Sequence, residues 1–266
     1  MITESAELSK QKLLAGKHTD LLLDIGSTLL ASGASSERID RNLKRIGSSW
    51  GYDVDIFFDY TGLIITIQSK DEPLVYATRH KKLHKHHVNF NILKDISLLS
   101  WKVKEDGLNQ ETVDEAMEGI KSEPSYSRIL VLFGIGAACF ALCMIAGGDI
   151  RDALVTFVAG FCGMFVRQEI DKRGYLSMLA ILGASFTSSM IASLDAVFHI
   201  GSNPEPALAT CILYLVPGVQ MINCVIDMIE GYFPMALARG AFSTYILLWM
   251  AVGMSLSILI FGMHNF

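Results

Sequence analysis

Three polar side chains follow a proline and a glycine inside a long apolar stretch of this chain. The stretch is residues 207–232, ALATCILYLVPGVQMINCVIDMIEGY, where Pro217-Gly218 is followed by Gln220, Asn223 and Asp227. Amide and carboxylate side chains are costly in hydrocarbon and usually face a protein interior or a wet cavity. A break in a membrane helix frees backbone donors and acceptors to meet a solute. The residue types and their spacing therefore predict a solute-binding segment and favour a transporter.

The position of the break suggests a role for each of these residues. Counted from Ala207, Pro217 lies ~15 Å along a helix, close to the bilayer midplane. The polar side chains after it fall within about a quarter of the helix circumference. Because an amide both donates and accepts, Asn223 suits a zwitterion or a carboxylic acid. We predict that the solute contacts Pro217, Gly218, Gln220 and Asn223. A plain proline kink is the alternative for Pro217.

Two acidic residues are the candidates for coupling transport to an ion. Asp227 is predicted at the cytoplasmic boundary, as either a proton-coupling carboxylate or an interfacial anion. Asp195 shares one face of the apolar segment 176–198 with several serines, among them Ser188. Asp195 lies late enough in this segment for a position at the outer water boundary to be the alternative. We include Ser188 among the substrate-binding candidates, with hydroxyl bonding between helices as the alternative.

Charge divides the chain into two parts. Residues 1–127 contain 16 of the 22 Lys and Arg residues and 19 of the 27 Asp and Glu residues. The remainder, 128–266, contains apolar stretches that each approach the roughly 20 residues needed to cross a bilayer. We therefore predict an α-helical polytopic membrane protein with an α+β domain at residues 1–127 and a transmembrane domain at 128–266. The five predicted transmembrane helices are roughly 129–147, 151–167, 176–198, 207–230 and 241–262.

Cationic residues beside the predicted helices orient them in the membrane. Arg128, Arg167, Lys172, Arg173 and Arg239 lie on one side, and the opposite loops contain only Arg151. The positive-inside rule then places the N-terminal domain in the cytoplasm and the C-terminus outside. With an odd number of crossings, a second such unit would insert upside down, as in inverted-repeat transporters. One unit is present, so we predict a partner protein, a homo-oligomer, or both.

The first 127 residues show alternating helical and strand patterns. Apolar spacing predicts helices at 13–30, 36–50 and 89–106, with a shorter one from Asn109. Strands are predicted in YDVDIFFDY, LIITIQS and PLVYAT. The alternating Asp53, Asp55 and Asp59 suit the solvated face of a strand better than a cation site. For RHKKLHKHH, in which His80, His84 and His87 would share a helical face, a basic connector near anionic lipid is favoured over a metal site.

Other functional classes lack support in the sequence. Neither G-x-S-x-G nor H-E-x-x-H occurs, so we predict no enzyme activity, no catalytic residue, no metal site and no cofactor. The net charge of -5 argues against a nucleic-acid partner. The five cysteines lie in apolar segments and are predicted to be free thiols. A membrane-anchored sensor or scaffold is the remaining alternative, although one anchoring helix would suffice for it.

Several motifs resemble the threonine/serine exporter family. They are GASSERIDRNLKRIGSSWG, FFDYTGLIITI, TRH at 78–80, and PGVQMINCVIDMIEGY with Arg239-Gly240, within a similarity over about residues 15–250. The chain is similar to the larger subunit of the split form, whose partner is a short membrane protein. The resemblance implies efflux of a small hydrophilic metabolite across a bacterial inner membrane. Split members include a succinate exporter, and fused relatives export threonine and serine.

The identity of the solute depends on where the cations lie. A dicarboxylate needs compensating positive charge, and the predicted helices contain no Lys or Arg near mid-membrane. Arg151, Arg167 and Arg239 are expected only at the helix edges. We therefore expect threonine/serine-type amino acids, exported with ion or proton coupling. Succinate or another dicarboxylate is the alternative, with the partner subunit supplying the positive charge.

Overall fold

The computed structural model describes residues 2–83, 88–122 and 126–261. It divides into two compact units that are each described by themselves. The first comprises Met1–Pro124 and Val219–Gly240, and the second comprises Ser125–Gly218 and Ala241–Phe266. The first unit thus includes a segment that the sequence assigns to the membrane domain. A boundary at residue 127 between a soluble and a membrane domain stays a prediction.

The N-terminal part of the first unit contains four helices and three strands. The helices are α1 (Ile2–Ala31), α2 (Ser36–Ser49), α3 (Phe90–Asp106) and α4 (Gln110–Ser122), and the strands are β1 (Tyr52–Asp59), β2 (Gly62–Ser69) and β3 (Tyr76–Lys82). Helices α2 and α3 are each capped by a side-chain oxygen. The Ser35 hydroxyl accepts from the Arg38 N–H, and Asn89 Oδ1 accepts from the Asn91 N–H. Such caps satisfy donors that have no partner within the helix. The predicted helices are confirmed, and α1 begins earlier than expected.

The strands form one antiparallel sheet in the order β1-β2-β3. In β1, Val54 and Phe58 are buried and the alternate residues Asp53, Asp55 and Asp59 are exposed, which confirms the solvated-face interpretation. The third strand begins at Tyr76 rather than at Pro73. Helices and sheet share one apolar core, which also includes Met235 of the later segment. His80 is exposed in β3, while His84 and His87 lie outside the described residues.

Most of the second unit consists of long apolar helices. They are α5 (Arg128–Ile145), α6 (Ile150–Lys172), α7 (Ser177–Phe198) and the short α8 (Pro204–Thr210). They are followed by a 3-10 turn at Leu213–Leu215 and by α9 (Gly218–Ile229) and α10 (Phe233–Phe261), which the first unit shares in part. Among the described residues, four helices are long and apolar enough to cross a membrane, or five if the bent segment 204–229 counts as one. The multi-pass character is therefore confirmed at this level.

Two helix boundaries differ from the sequence prediction. Helix α6 continues to Lys172, five residues beyond the expected end. Helix α10 begins at Phe233 instead of residue 241, so that Arg239 lies inside a helix and not in a loop. Charged residues continue a helix as readily as apolar ones do, so α6 extends past Arg167, and Pro234 is tolerated in the first turn of α10 because an N–H there would have no helical partner.

Small residues allow the apolar helices to approach closely. A Cβ on Gly136 would lie 2.9 Å from the Phe157 ring, and one on Gly160 would lie 2.6 Å from Cys139 Sγ. Both distances are shorter than real side-chain contacts, so a larger residue at either position would force its neighbour to move where α5 meets α6. This confirms that GIGAAC, residues 134–139, is a helix-packing element. Further along, Ala159, Ala192, Leu208 and Cys211 form a buried cluster.

Candidate functional site

The apolar stretch is broken where the sequence predicts it. The 3-10 turn ends at Leu215, and Val216 adopts an extended conformation, as the residue before a proline usually does. Helix α9 then begins at Gly218, whose N–H donates to Val216 O at 2.8 Å. The helices on the two sides of the break are bent by 65°. Pro217 therefore ends one helical segment and precedes another, which is more than a simple kink.

The α1–α2 turn provides the partners of the predicted polar residues. Helix α1 ends at Ala31, and Gly33 follows it with φ +89°, a left-handed conformation that favours glycine. The Ala34 N–H closes the turn on Leu29 O at 3.0 Å. Because the chain reverses here, the carbonyls of Gly33 and Ala34 and the N–H of Ser36 are left without helical partners. All belong to the first unit.

Three side chains from α9 and α10 satisfy these backbone groups. Asn223 Nδ2 donates to Gly33 O at 2.7 Å, and Arg239 Nη2 donates to Ala34 O at 2.7 Å. Asp227 Oδ1 accepts from Ser36 N at 2.9 Å, and its Oδ2 accepts from Ser36 Oγ at 3.2 Å. Asp227 Oδ2 also lies 3.2 Å from Arg239 Nε. We call Asn223, Asp227 and Arg239 the polar cluster.

The polar cluster is removed from solvent. Its side chains are 7 %, 0 % and 2 % exposed for Asn223, Asp227 and Arg239. A buried ion pair of this kind is costly to desolvate unless further hydrogen bonds complete it. The Ser36 N–H at the start of α2 meets this need, because helix N-termini favour anions. The carboxylate is therefore held by both charge and hydrogen bonding.

The guanidinium of Arg239 retains unused donor capacity. Its Nη1 has no hydrogen-bond acceptor among the residues that the structure describes. The nearby Tyr60 has a pKa raised to about 12 because its phenol is buried, an effect that the charge of Arg239 partly opposes. The phenol is therefore neutral at physiological pH and does not offset the guanidinium charge. An anion with one more acceptor oxygen would complete the hydrogen bonding of Arg239.

The structure brings only some of the predicted site residues together. Asn223 and Asp227 belong to one hydrogen-bonded cluster, whereas Pro217, Gly218 and Gln220 are half-buried beside the break. For the Gln220 side chain, no hydrogen bond to another described residue is found. Whether these residues bind a solute stays a prediction, since in this structure the cluster binds the protein's own backbone.

The two candidates in α7 lie in the second unit. Ser188 is fully buried, and its Oγ donates to Ala159 O at 3.0 Å and lies 3.1 Å from Tyr214 Oη. This is the hydroxyl bonding between helices that the sequence offered as the alternative. Asp195 is also fully buried, and its Oδ1 accepts from Gly201 N at 2.8 Å. Asp195 is thus buried in the last turn of α7, and both its coupling role and a position at the outer water boundary stay predictions.

Sequence reasoning overlooked three contributors. Arg239 was assigned to a loop because the start of α10 was placed too late. Ser36 lies at the start of the predicted helix 36–50, and nothing local indicates that its N–H and hydroxyl bind Asp227, far along the chain. Asp152 was not singled out, yet Asp149-x-x-Asp152 has the spacing of a capping box, which the structure contains. That spacing was the one available signal for Asp152.

Metal-binding side chains are not clustered in the described part of the chain. No group of three or more His, Cys, Asp or Glu side chains is placed there to hold an ion. All five cysteines are free, and three of them are buried. The cysteine prediction is thus confirmed, while the basic histidine segment falls partly outside the described residues.

Comparison with known proteins places the chain among exporters. The profile of the threonine/serine exporter family matches residues 20–261. A protein of Escherichia coli (strain K12) named "Probable succinate transporter subunit YjjP" is 28% identical, covering 93% of this chain and 96% of the relative. Its namesake in Klebsiella aerogenes is 26% identical, covering 98% of both chains. A "Probable threonine/serine exporter" of Mycobacterium tuberculosis is 20% identical, covering 91% of this chain and 46% of the relative. No solved structure matches.

Proposed function

We propose that this chain, which belongs to the threonine/serine exporter family, is one subunit of a bacterial membrane exporter for a small carboxylate-bearing metabolite. The first candidate solute is a dicarboxylate of the succinate type. The relatives matched over nearly their whole length support this choice, because both are named as succinate transporter subunits. The word subunit in those names supports a partner membrane protein of the same family.

The observation that carries the proposal is the buried polar cluster of Asn223, Asp227 and Arg239. A dicarboxylate needs a compensating cation, and the predicted helices contain no Lys or Arg near mid-membrane. Arg239 supplies one, 2 % exposed and within α10, with Nη1 available to an acceptor. A carboxylate could bind there beside Asn223, whose amide donates to an acceptor oxygen. Its approach requires the α1–α2 turn to move, or Asn223 and Arg239 to share their donors between the solute and the carbonyls of that turn.

Threonine and serine remain the second candidate solutes. The anionic Asp227 and the amide of Asn223 suit the ammonium and hydroxyl groups of such amino acids. The matched family and the more distant relatives carry this name. Both solute classes share a carboxylate, so the role proposed for Arg239 is the same in each case.

Ion coupling and orientation complete the proposal. Asp227 is a candidate coupling group because its ion pair with Arg239 would change on protonation. The N-terminal domain is proposed in the cytoplasm and the C-terminus outside, on the distribution of Lys and Arg. No cofactor and no enzymatic step are required for this function.

The test is efflux from membrane vesicles loaded separately with succinate, threonine and serine. Vesicles contain this chain alone, a short membrane subunit of the same family alone, or both. We expect efflux of succinate only when both are present. Efflux of threonine or serine without succinate would select the second candidate. Efflux of none of the three by the paired proteins would contradict the proposal.

A substitution in the polar cluster localises the site. Asn223→Ala is expected to slow efflux at least about fivefold, roughly the equivalent of one lost hydrogen bond. Membrane abundance, measured by immunoblot, is expected to stay near that of the wild type. Asn91→Ala, at an exposed position of α3, is the matched control and should leave efflux unchanged. Normal efflux by the Asn223 variant would exclude this residue from the path.

A further inference from the structure

Two fully buried carboxyl groups meet at one end of the second unit. Asp152 lies in the first turn of α6, and Asp195 lies in the last turn of α7. Both are 0 % exposed. The Gly201 backbone contacts both groups, because its N–H donates to Asp195 Oδ1 and a Cβ on Gly201 would overlap Asp152 Oδ1. Two carboxyl groups placed this close can bond to each other only when one of them carries a proton.

Backbone amides hold one oxygen of each carboxyl group. Asp152 Oδ2 accepts from Asp149 N at 2.7 Å and from Asn203 N at 3.3 Å, and Asp195 Oδ1 accepts from Gly201 N at 2.8 Å. The other two oxygens, Asp152 Oδ1 and Asp195 Oδ2, receive no donor from the described residues. A proton shared between the two side chains would satisfy them.

The loop after α7 is built around this pair. His199 ends α7 with φ 49°, a left-handed conformation that is uncommon for a residue other than glycine. That turn directs the Gly201 N–H onto Asp195. A Cβ on Gly201 would collide with the Asp152 carboxylate, so the loop approaches closely only because residue 201 is glycine. The backbone at Gly201 therefore contacts both carboxyl groups.

The surrounding charges favour a bound proton. Asp149 adds negative charge, since the Asp152 N–H and the Ser202 hydroxyl lower its pKa to about 2. From α5, Cys143 packs close by as a buried thiol. Arg151 of α6 and Glu205 of α8 are both exposed. No ion pair between Lys or Arg and either buried carboxyl group is found in the described part of the chain.

We propose that Asp152 and Asp195 form a carboxyl–carboxylate pair that holds one exchangeable proton and serves as a proton-coupling site of the exporter, in addition to the candidate Asp227. The inference rests on the proposed function and adds Asp152 to Asp195, which was a candidate from sequence. The pair lies at the end of α6 and α7 opposite to Arg167, Lys172 and Arg173. With the proposed orientation it faces the outside, where an exporter driven by proton entry must take up its proton.

The proton itself is detected by infrared titration of the full chain in lipid. Near neutral pH we expect the carbonyl stretch of one buried carboxylic acid, which disappears as the pH rises. Asp195→Asn and Asp152→Asn are each expected to remove this band, because the remaining carboxylate then faces a neutral amide that donates to it. The exposed Glu205→Gln should keep the band. Its absence from the wild type, or its presence in both Asn variants, would overturn the proposal.

Efflux measured against the external pH tests the coupling. With the partner subunit present, the wild type and Glu205→Gln are expected to respond to external acidification, and the two Asn variants to lose this response. Asn variants that respond like the wild type would refute the coupling role. If the wild type exports none of the three solutes, the proposed function fails, while the infrared titration still decides whether the pair binds a proton.

Discussion

At the scale of single residues, the polar cluster is a buried ion pair completed by backbone groups. Arg239 and Asp227 would each be costly to bury alone, and their mutual attraction alone does not offset desolvation. The Ser36 N–H, the Ser36 hydroxyl and the Ala34 carbonyl supply the missing hydrogen bonds. The stability of this arrangement therefore depends on the two side chains and the turn together.

The first prediction concerns the coupling between Asp227 and Arg239. Asp227→Asn leaves the guanidinium buried without a counter-charge, and we expect it to lower the free energy of unfolding by about 3–5 kcal/mol. The double variant Asp227→Asn with Arg239→Gln is expected to lose less than the sum of the single variants. Thermal unfolding of the purified chain measures each of them.

A matched control uses an ion pair on the surface. Glu37 and Arg41 are 2.9 Å apart, with side chains 32% and 58% exposed, so Glu37→Gln should change the free energy of unfolding by less than about 1 kcal/mol. Strict additivity in the Asp227 and Arg239 double variant would show that the two buried side chains do not interact energetically.

At the scale of elements, the α1–α2 turn determines what the polar cluster binds. The left-handed residue Gly33 ends α1 and directs two carbonyls toward α9 and α10. The start of α2 supplies the amide that binds Asp227. The geometry of a single turn thus connects residues almost 200 positions apart in sequence.

The second prediction tests this turn. Gly33→Ala introduces a side chain at φ +89° and should lower the free energy of unfolding by about 1–2 kcal/mol. Gly119→Ala is the control, because it lies within α4 with open space around it and should stabilise by about 0.5–1 kcal/mol. Unfolding midpoints of the full chain distinguish the two. Equal midpoints would mean that the turn tolerates a side chain.

At the scale of the whole molecule, the apolar helices mark a multi-pass membrane protein. Their outer faces are rich in exposed aliphatic and aromatic side chains, including Ile129, Phe133, Leu154 and Leu259. Such faces suit lipid and not water. The direction proposed for the chain across the bilayer rests on the distribution of Lys and Arg along the sequence.

The third prediction concerns this direction. Glu205→Cys and Arg173→Cys place thiols at exposed positions beyond opposite ends of α7. In intact cells, a membrane-impermeant thiol reagent should label Cys at position 205, whereas position 173 should react only after permeabilisation. The unsubstituted chain gives the background from the five native cysteines. The reverse pattern would invert the proposed topology and move the Asp152 and Asp195 pair to the cytoplasmic side.

Local patterns explain what could be predicted from the sequence. The period of apolar residues and the alternation in β1 depend on neighbours along the chain. Long apolar stretches and the break at Pro217 are likewise local, since they follow from hydrocarbon thickness and from the missing proline N–H. Family membership followed from motifs of the same local kind.

The sequence by itself therefore determined the membrane helices, the small sheet, the break at Pro217 and the exporter family. Only the tertiary structure decided that Asn223 and Asp227 bind the turn at Gly33–Ser36, that Arg239 is a buried cation, and that Asp195 meets Asp152. The physical reason is that burial and hydrogen bonding depend on groups far apart in the chain. No local period or spacing specifies which distant backbone amide or carboxylate a polar side chain will meet.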